Sequence, residues 1–566
     1  MFLPPKAAGH ANYTLSTELG YLRQLTWDPG TAHLGTQVFT NQSPSGGDYF
    51  FRITTQDPSV GAWRTALYVD SGEADVSIRQ GTFSDLAANY TFRQSARVGS
   101  DGWVLHSTEF AAAQDWFIVV HATAGAQWRL FSGDVFVADL GTLATDAGSG
   151  SGPVPMGAEG MRFFRTTTTA NTLAWRLWLN GGNNPLLVRQ TVVPHPRNTS
   201  TYDWYSAGQM LLVPTYLVGG QFYFVGVIGN PGETINLDSR QHGFTDLAFN
   251  STTNLTFTGY GYATFRVQVP VQQIAWLTTV TPGSGNANVA VRRDFVPNEF
   301  FNSAFSDVSG LTADSVSLVP STLSDGTFYV TVYGSAPYTC TLFTGNPVIT
   351  DVAFVSNTLN NDPGRVGWRY FRVPDIASQL GSLGWDLLLS NYVAGSELAI
   401  RQNAVPSRWN FRNGNSNVSS SAHVDFTGGT SGFLQRPNHQ ADIWYVGVYN
   451  PSNALGAFSL ILQKLTAALT AFDGGTMSRS GTLPGRWEYF RVDVPTNCLG
   501  WDVRLVNVLE NGALPTLVVR RDQLPDALSN GAVELSAKLS LLAERLPVAR
   551  GPGLDGPQPQ PQRRHR

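Results

Sequence analysis

Residues 368–402 read WRYFRVPDIASQLGSLGWDLLLSNYVAGSELAIRQ, and residues 442–462 read DIWYVGVYNPSNALGAFSLIL. The apolar segments are short, β-branched and aromatic, and clusters of Gly, Asn, Pro, Ser and Asp divide them. That pattern reads as strands and turns, because a helix would show a 3.6-residue period over a longer run. Working outward, the same marks recur in the same order. An aromatic-Arg strand occurs at Phe51-Arg52, Phe164-Arg165, Phe265-Arg266, Phe371-Arg372 and Phe490-Arg491, at intervals of 113, 101, 106 and 119 residues. A tryptophan follows each Arg by 10 to 13 residues, at Trp63, Trp175, Trp276, Trp385 and Trp501. An apolar strand then ends in Arg79, Arg189, Arg292, Arg401 and Arg520. An aromatic-rich strand comes next, WFIVV (116–120), FYFVGV (222–227), FYVTVY (328–333) and WYVGVY (444–449), and a short strand closes each unit.

Units of about one hundred residues are long enough to close their own cores, unlike solenoid repeats of 20–50. The expectation is an all-β chain of tandem antiparallel β-sandwich or jelly-roll-like domains in a beads-on-a-string array. The boundaries read as follows: 1–46 the tail of a truncated preceding repeat plus linker, 47–157, 158–258, 259–362 and 363–482 four repeats, 483–530 an incomplete fifth, and 531–566 a tail. Tyr13-Thr14-Leu15-Ser16 resembles the closing strand at Tyr338-Thr339-Cys340-Thr341, which motivates the truncated start. After Leu528 the composition turns abruptly to Arg, Pro and Gly, and either a disordered tail or a frameshifted end fits.

Composition agrees and excludes other classes. The chain has 566 residues, with 14% charged, 42% hydrophobic and 12% aromatic. A disordered chain would carry more charge and fewer rings. Coiled coils are excluded by three lysines in all, Lys6, Lys464 and Lys538. A net charge of −4 makes no electrostatic bid for nucleic acid or anionic membrane. Two cysteines, Cys340 and Cys498, exclude a disulfide scaffold and a structural zinc site. The start lacks the pattern of a signal peptide, and Pro214 with Gly219-Gly220 interrupts the most apolar stretch, so no membrane span is expected.

These motifs resemble the bacterial pre-peptidase C-terminal domain: an aromatic strand ending in Val-Pro, a Gly-Asp-Ala-Asp-Leu-type strand, an Arg and a Pro, then Trp-Tyr-Val and a closing strand. GEADVSIRQG (72–81) matches the middle motif best; GNANVAVRR (285–293), GSELAIRQ (395–402) and NNPLLVRQ (183–190) match it more loosely. The resemblance runs from about Gly47 to Pro525. It implies a secreted, non-catalytic β-sandwich module of the kind appended to peptidases and other extracellular hydrolases, assisting export, folding or attachment to insoluble substrates. Related collagen-binding modules bind calcium, so the resemblance raises calcium as a ligand. The acidic position is Asp75 in the first unit, but Asn288 in the third and Pro185 in the second, which puts a shared calcium site in doubt.

No zincin, serine-elbow, phosphate-loop or Cys-x-x-Cys motif occurs, so no catalytic residue, metal ligand or resident cofactor is expected. Gly429-Thr430-Ser431 lies in a Gly/Ser-rich insertion and reads as a loop. The nine histidines, at 10, 33, 106, 121, 195, 242, 423, 439 and 565, read as dispersed surface or turn positions. The repeated tryptophans read as core anchors. The second repeated Arg reads as a stem packed over aromatics with its head in water or on a carboxylate. Tyr202, Trp204, Tyr205, Trp409 and Phe411 follow the Arg-x-x-x-x-Pro segment in loop-like surroundings, and are the candidates for stacking on a ligand. The leading reading is a non-catalytic extracellular or cell-surface array for attachment, spacing or substrate binding within a larger exported protein. Its partners would be an insoluble polysaccharide, a protein substrate or other surface proteins. The alternatives are the accessory portion of a secreted hydrolase, a peptidase by the resemblance, and a structural surface protein or adhesin.

Overall fold

The computed structural model describes residues 21–521 and 533–535, apart from 36–38, 84–89, 95–97, 145–149, 197–198, 308, 312, 321–322, 355, 361–366, 383, 391, 393–395, 407–421, 426–430, 436–440, 451–457, 465, 481–487 and 507–514. The chain is all-β, and its helical content among these residues is one turn at Ile376–Gln379 and a 3-10 turn at Thr199–Thr201. It divides into two compact units, Met1–Asn346 and Pro347–Arg566.

The first nine strands are β1 (Leu22–Gln24), β2 (Phe39–Ser43), β3 (Gly47–Thr54), β4 (Ala62–Ser71), β5 (Ala74–Gln80), β6 (Phe92–Gln94), β7 (Asp101–His106), β8 (Asp115–Ala122) and β9 (Ala126–Asp134). They form a five-stranded sheet, β1-β3-β8-β5-β6, and a four-stranded sheet, β2-β9-β4-β7. Successive strand residues face opposite ways, so the Phe-Arg mark splits between the two sides. Phe51 turns inward with Ile53, Val76, Ile78, Ile118 and Val120, and meets Trp63, Leu67, Leu105, Trp128 and Leu130 of the other sheet in one apolar cluster. The core Trp63 also needs a partner for its indole N–H, which donates to Ser132 Oγ at 2.8 Å. Trp175 repeats this with Ser239 Oγ at 3.0 Å, and Trp276 with Thr344 Oγ1 at 2.6 Å. Each acceptor lies near the end of a closing strand.

The same order of nine strands occurs three more times. The second set is β10 (Val137–Thr142), β11 (Gly150–Pro155), β12 (Met161–Thr167), β13 (Trp175–Leu179), β14 (Pro185–Gln190), β15 (Trp204–Ala207), β16 (Gln209–Leu212), β17 (Phe222–Ile228) and β18 (Thr234–Gln241). The third is β19 (Thr245–Asp246), β20 (Ser251–Phe257), β21 (Tyr262–Val269), β22 (Trp276–Ser284), β23 (Asn288–Arg293), β24 (Ala304–Ser306), β25 (Asp314–Leu318), β26 (Gly326–Tyr333) and β27 (Tyr338–Gly345). The fourth, in the second unit, is β28 (Ile349–Asp351), β29 (Ser356–Asn360), β30 (Gly367–Val373), β31 (Gly384–Ser390), β32 (Glu397–Gln402), β33 (Ala422–Asp425), β34 (Ser431–Gln435), β35 (Trp444–Asn450) and β36 (Ser459–Lys464). Each set pairs a five-stranded with a four-stranded sheet in the order of the first.

Three expectations need correction. The boundaries at 47, 158, 259 and 363 cut across sheets, because the two short strands before each Phe-Arg strand hydrogen-bond to strands that follow it. Thus β2 pairs with β9, β11 with β18 and β20 with β27. β1 and β2 therefore belong to the first sheet pair, not to a preceding repeat; Tyr13 and its neighbours lie outside the described residues. The sheets are also not purely antiparallel. In every five-stranded sheet the first strand runs parallel to its neighbour. It does so because the chain visits the opposite sheet between the two and returns in the same direction.

The third correction concerns the beads on a string. In residues 21–346 the outer faces of the first and second four-stranded sheets are covered by the outer faces of the second and third five-stranded sheets. Ala62, Val104 and Val135 share a buried cluster with Met161, Phe163, Leu187, Val193 and Phe224. Ala174, Leu211 and Val213 share another with Tyr262, Ala290, Val296, Tyr329 and Tyr333. This stretch is a continuous stack of six sheets, solenoid-like in its regularity rather than a row of separate jelly rolls. Strands buried on both faces carry unbroken apolar runs, as DGWVLH of β7 does, with every residue buried. At the first joint β7 carries a glycine that its paired strand β4 requires and that the loop before β12 packs against. A Cβ on Gly102 would lie 2.4 Å from the Thr65 carbonyl oxygen and 3.2 Å from the Glu159 Cα.

In the second unit Phe371, Val373, Leu387, Leu398, Ile400, Trp444, Val446 and Leu460 fill the core of the fourth pair. Beyond it the marks of a fifth repeat continue, and among the described residues no buried apolar cluster is found around them. Phe490 is 41% exposed and Trp501 41%, whereas Phe51, Phe164, Phe265, Phe371, Trp63, Trp175 and Trp276 are buried. The described strands there form only two-stranded sheets, 468–470 with 490–492 and 517–519 with 533–535.

Candidate functional site

The polar side chains concentrate at the two joints of the first unit. Because Trp63 points into its core, the next residue, Arg64, points out toward the second sheet pair. Its guanidinium is fully buried, donates to the His33 and Ala32 carbonyls at 2.8 and 3.2 Å, and lies 3.9 Å from the Glu159 carboxylate, which is itself 4% exposed. Arg162, at the start of β12, donates to His33 Nδ1 and lies over the Phe136 ring. Burial is the main influence on each titratable group here. It raises the Glu159 carboxyl above its usual range against the pull of Arg64, and raises the Tyr68 hydroxyl. Burial, then Arg162 and Arg64, bring His33 down to about 4. One Glu159 oxygen, Oε2, is buried without a hydrogen-bond donor. The cluster spans three segments and fastens one sheet pair to the next.

The second joint uses the same positions with different chemistry. Arg176 follows Trp175 as Arg64 follows Trp63. It donates to Asp238 at 2.9 Å and lies 4.5 Å from the Tyr260 ring, so a tyrosine stands where the first joint has Glu159. Tyr262 donates to Glu299 at 3.2 Å. His242, held down to about 4 by burial and then by Arg176, meets the Thr264 hydroxyl at 3.0 Å. The Val-Pro turns also match: His195 Nε2 donates to the Val104 carbonyl at 2.8 Å, and Asn298 Nδ2 to the Leu211 carbonyl at 2.8 Å.

These contacts revise two readings. At the two joints the second repeated Arg reaches the preceding sheet pair: Arg189 donates to His106 Nε2 at 3.3 Å, and Arg292 to the Pro214 carbonyl, whereas Arg401 donates to the Val405 carbonyl of its own set at 3.4 Å. The stem over a ring is present at Arg292, 5.0 Å from Phe295. Of the five histidines whose side chains are described, His33, His106, His195 and His242 sit at the joints rather than on dispersed surfaces. His121 alone among these five is exposed, paired with Asp48 at 2.5 Å. The first repeated Arg holds the parallel edge strand, since Arg165, Arg266 and Arg372 pair with the in-register Asp139, Asp246 and Asp351. Both members of each pair are solvent-exposed, so Asp246→Asn is expected to leave the urea midpoint within experimental error.

Of the stacking candidates, Trp409 and Phe411 lie outside the described residues. Trp204 is packed against Tyr216, Phe300 and Phe301, with ring centroids 5.6, 5.1 and 5.6 Å away, and its buried indole N–H has no acceptor. Tyr202 packs against the first joint and lies 6.1 Å from Tyr205. Tyr205 is 53% exposed and Phe300 63%. Phe300 carries no repeated mark, and only its place after the Val-Pro turn signals it. For calcium, Asp75, Pro185 and Asn288 occupy the middle-motif position, and among the described residues no three His, Cys, Asp or Glu side chains converge to hold a metal. The residues present do not fit a shared calcium site.

Among the described residues no helix is long and apolar enough to cross a membrane. No family model matches the chain, and no curated protein matches it. Among solved structures, the pre-peptidase C-terminal domain of collagenase from Bacillus anthracis matches at 14% identity with a TM-score of 0.16, over 19% of this chain and 99% of that one.

Proposed function

We propose that the four nine-strand sets are β-sandwich modules similar to the pre-peptidase C-terminal domain. They form a non-catalytic, extracellular array that serves attachment, spacing or substrate binding in a larger exported protein. The modules then span about 22–134, 137–241, 245–345 and 349–464. The observation that carries this reading is the joint. Arginine, glutamate and histidine, the side chains from which active sites are built, are consumed in fastening one sheet pair to the next, which makes a stiff spacer. Tyr205 and Phe300 remain as exposed rings for a polymer or a surface protein to pack on. The test is co-sedimentation of the full chain with insoluble collagen, chitin, cellulose and peptidoglycan. Retention on one polymer, weakened roughly tenfold in Tyr205→Ala, is the expected result; a tenfold loss is about 1.4 kcal/mol, in the range of one stacking ring. Release of soluble product from any of these polymers by contaminant-free protein overturns the non-catalytic reading.

The resemblance of GEADVSIRQG (72–81) to the middle motif favours a second reading, in which the array is the accessory portion of a secreted hydrolase, a peptidase. Sequencing the genomic DNA through both ends of the reading frame tests it. An upstream catalytic domain with an export signal supports it, and further sheet-pair repeats alone rule it out.

A further inference from the structure

Two imidazoles of the first sheet pair accept hydrogen bonds from arginines of the second. His33, in the segment before β2, faces Arg162 of β12 through Nδ1, and His106, at the end of β7, faces Arg189 of β14 through Nε2 at 3.3 Å. A guanidinium can only donate, so each facing ring nitrogen must carry a lone pair. We propose that the joint between the first and second sheet pairs is an acid-sensitive coupling that holds while His33 and His106 are neutral and releases when they take up protons. Protonation turns each acceptor into a donor and sets a second positive charge against the arginine.

The other charged groups facing these rings do not relieve that repulsion. Around His33 stand Arg64 and Tyr68 of β4 and Arg162, and Glu159 lies 3.9 Å from Arg64. Around His106 stand Arg189 and Glu109, whose carboxylate accepts from the His106 backbone N–H at 2.7 Å. Two arginines thus act on His33, and one carboxylate pairs with Arg64. The environment lowers both imidazoles, His33 to about 4, by burial first and then by the arginines. For a group depressed in the closed state, the coupling is intact above the ordinary imidazole value near 6.5 and is lost as pH falls toward the depressed one. Glu159, raised by burial, works in the opposite sense, favouring the closed joint as pH falls through its raised value. His33 alone then shifts the closed-to-open equilibrium about thirtyfold between pH 7.5 and pH 5. The proposal is independent of what the protein binds.

The Val193 amide reports on the joint, because it donates across it to the Val60 carbonyl at 3.1 Å. Hydrogen exchange of peptides containing Val193 in the full chain, corrected for intrinsic rate, is expected to show at least tenfold loss of protection between pH 7.5 and pH 5. The double variant His33→Gln/His106→Gln keeps a side-chain oxygen as acceptor but cannot titrate, and is expected to hold its protection. Unchanged protection in the wild type, or an equal loss in the variant, overturns the proposal. Should the variant fail to fold, NMR titration of 13C-histidine-labelled wild type decides: values for His33 and His106 below 5.5 support it, and ordinary values near 6.5 overturn it.

Discussion

Trp175→Ala is expected to unfold the second sheet pair at a cost of about 3–5 kcal/mol, while the chemically identical Trp501→Ala stays within about 0.5 kcal/mol of wild type. Trp175 is fully buried among Leu177, Leu186, Val188, Tyr223 and Val225. Its removal opens a cavity between two sheets that are each pinned by a neighbouring sheet and cannot collapse around it. It also strands the Ser239 hydroxyl that accepts the indole N–H. Trp501 bears the same mark in the sequence but is 41% exposed. Hydrogen exchange followed along a urea series locates the effect: peptides from 137–241 should lose protection earliest in Trp175→Ala and be unmoved in Trp501→Ala. Equal effects from both would mean that a fifth core exists.

Arg64→Ala is expected to cost about 3–5 kcal/mol, as large as losing a core aromatic, because it leaves Glu159 buried with its nearest cation gone. Burial already raises the Glu159 carboxyl, so the variant protonates it rather than bury the charge. The folded state then binds more protons than the unfolded one above the ordinary Glu range, and the defect relative to wild type must be larger at pH 8 than at pH 5. Arg64→Met with Glu159→Gln removes both charges and should restore more than half of the loss. Urea midpoints of wild type, Arg64→Met, Glu159→Gln and the double variant at the two pH values give the coupling. A double variant as unstable as the single one would show that the hydrogen bonds of Arg64 to the His33 and Ala32 carbonyls, not the charge pair, hold the joint.

Much of a single sheet pair was legible in the chain. Phe51, Trp63 and the strand WFIVV announce an inward-facing stripe, and their recurrence marks out each core. The phase of the repeat was not legible, because β1 has three residues and β19 two, too few for any alternation to show. They are strands because a neighbour offers them hydrogen bonds, not because their residues prefer it. The joints were hidden for another reason: Arg64 and Glu159 are 95 positions apart and belong to no motif, and nothing local distinguishes a buried Arg from a wet one. One clue was present. Runs such as DGWVLH, with no polar residue on the alternate face between Asp101 and His106, fit a sheet covered on both sides. Trp204 misled for the converse reason, since the rings that cover it, Phe300 and Phe301, come from the next set of strands.

The parallel strand at the margin of each five-stranded sheet bears on how such proteins stay apart in concentrated solution. An unguarded margin is a template for another chain, and lateral pairing of margins is the route to fibrils. Here the outermost strand is two to six residues long, and in the second, third and fourth pairs its aspartate is engaged by the arginine beside it. A foreign strand meets a short ledge with fixed charges. The flat surfaces, by contrast, accept a partner readily, as the two joints show. Pairing at that margin is thereby disfavoured, whereas face-to-face stacking is the contact the chain itself uses at both joints.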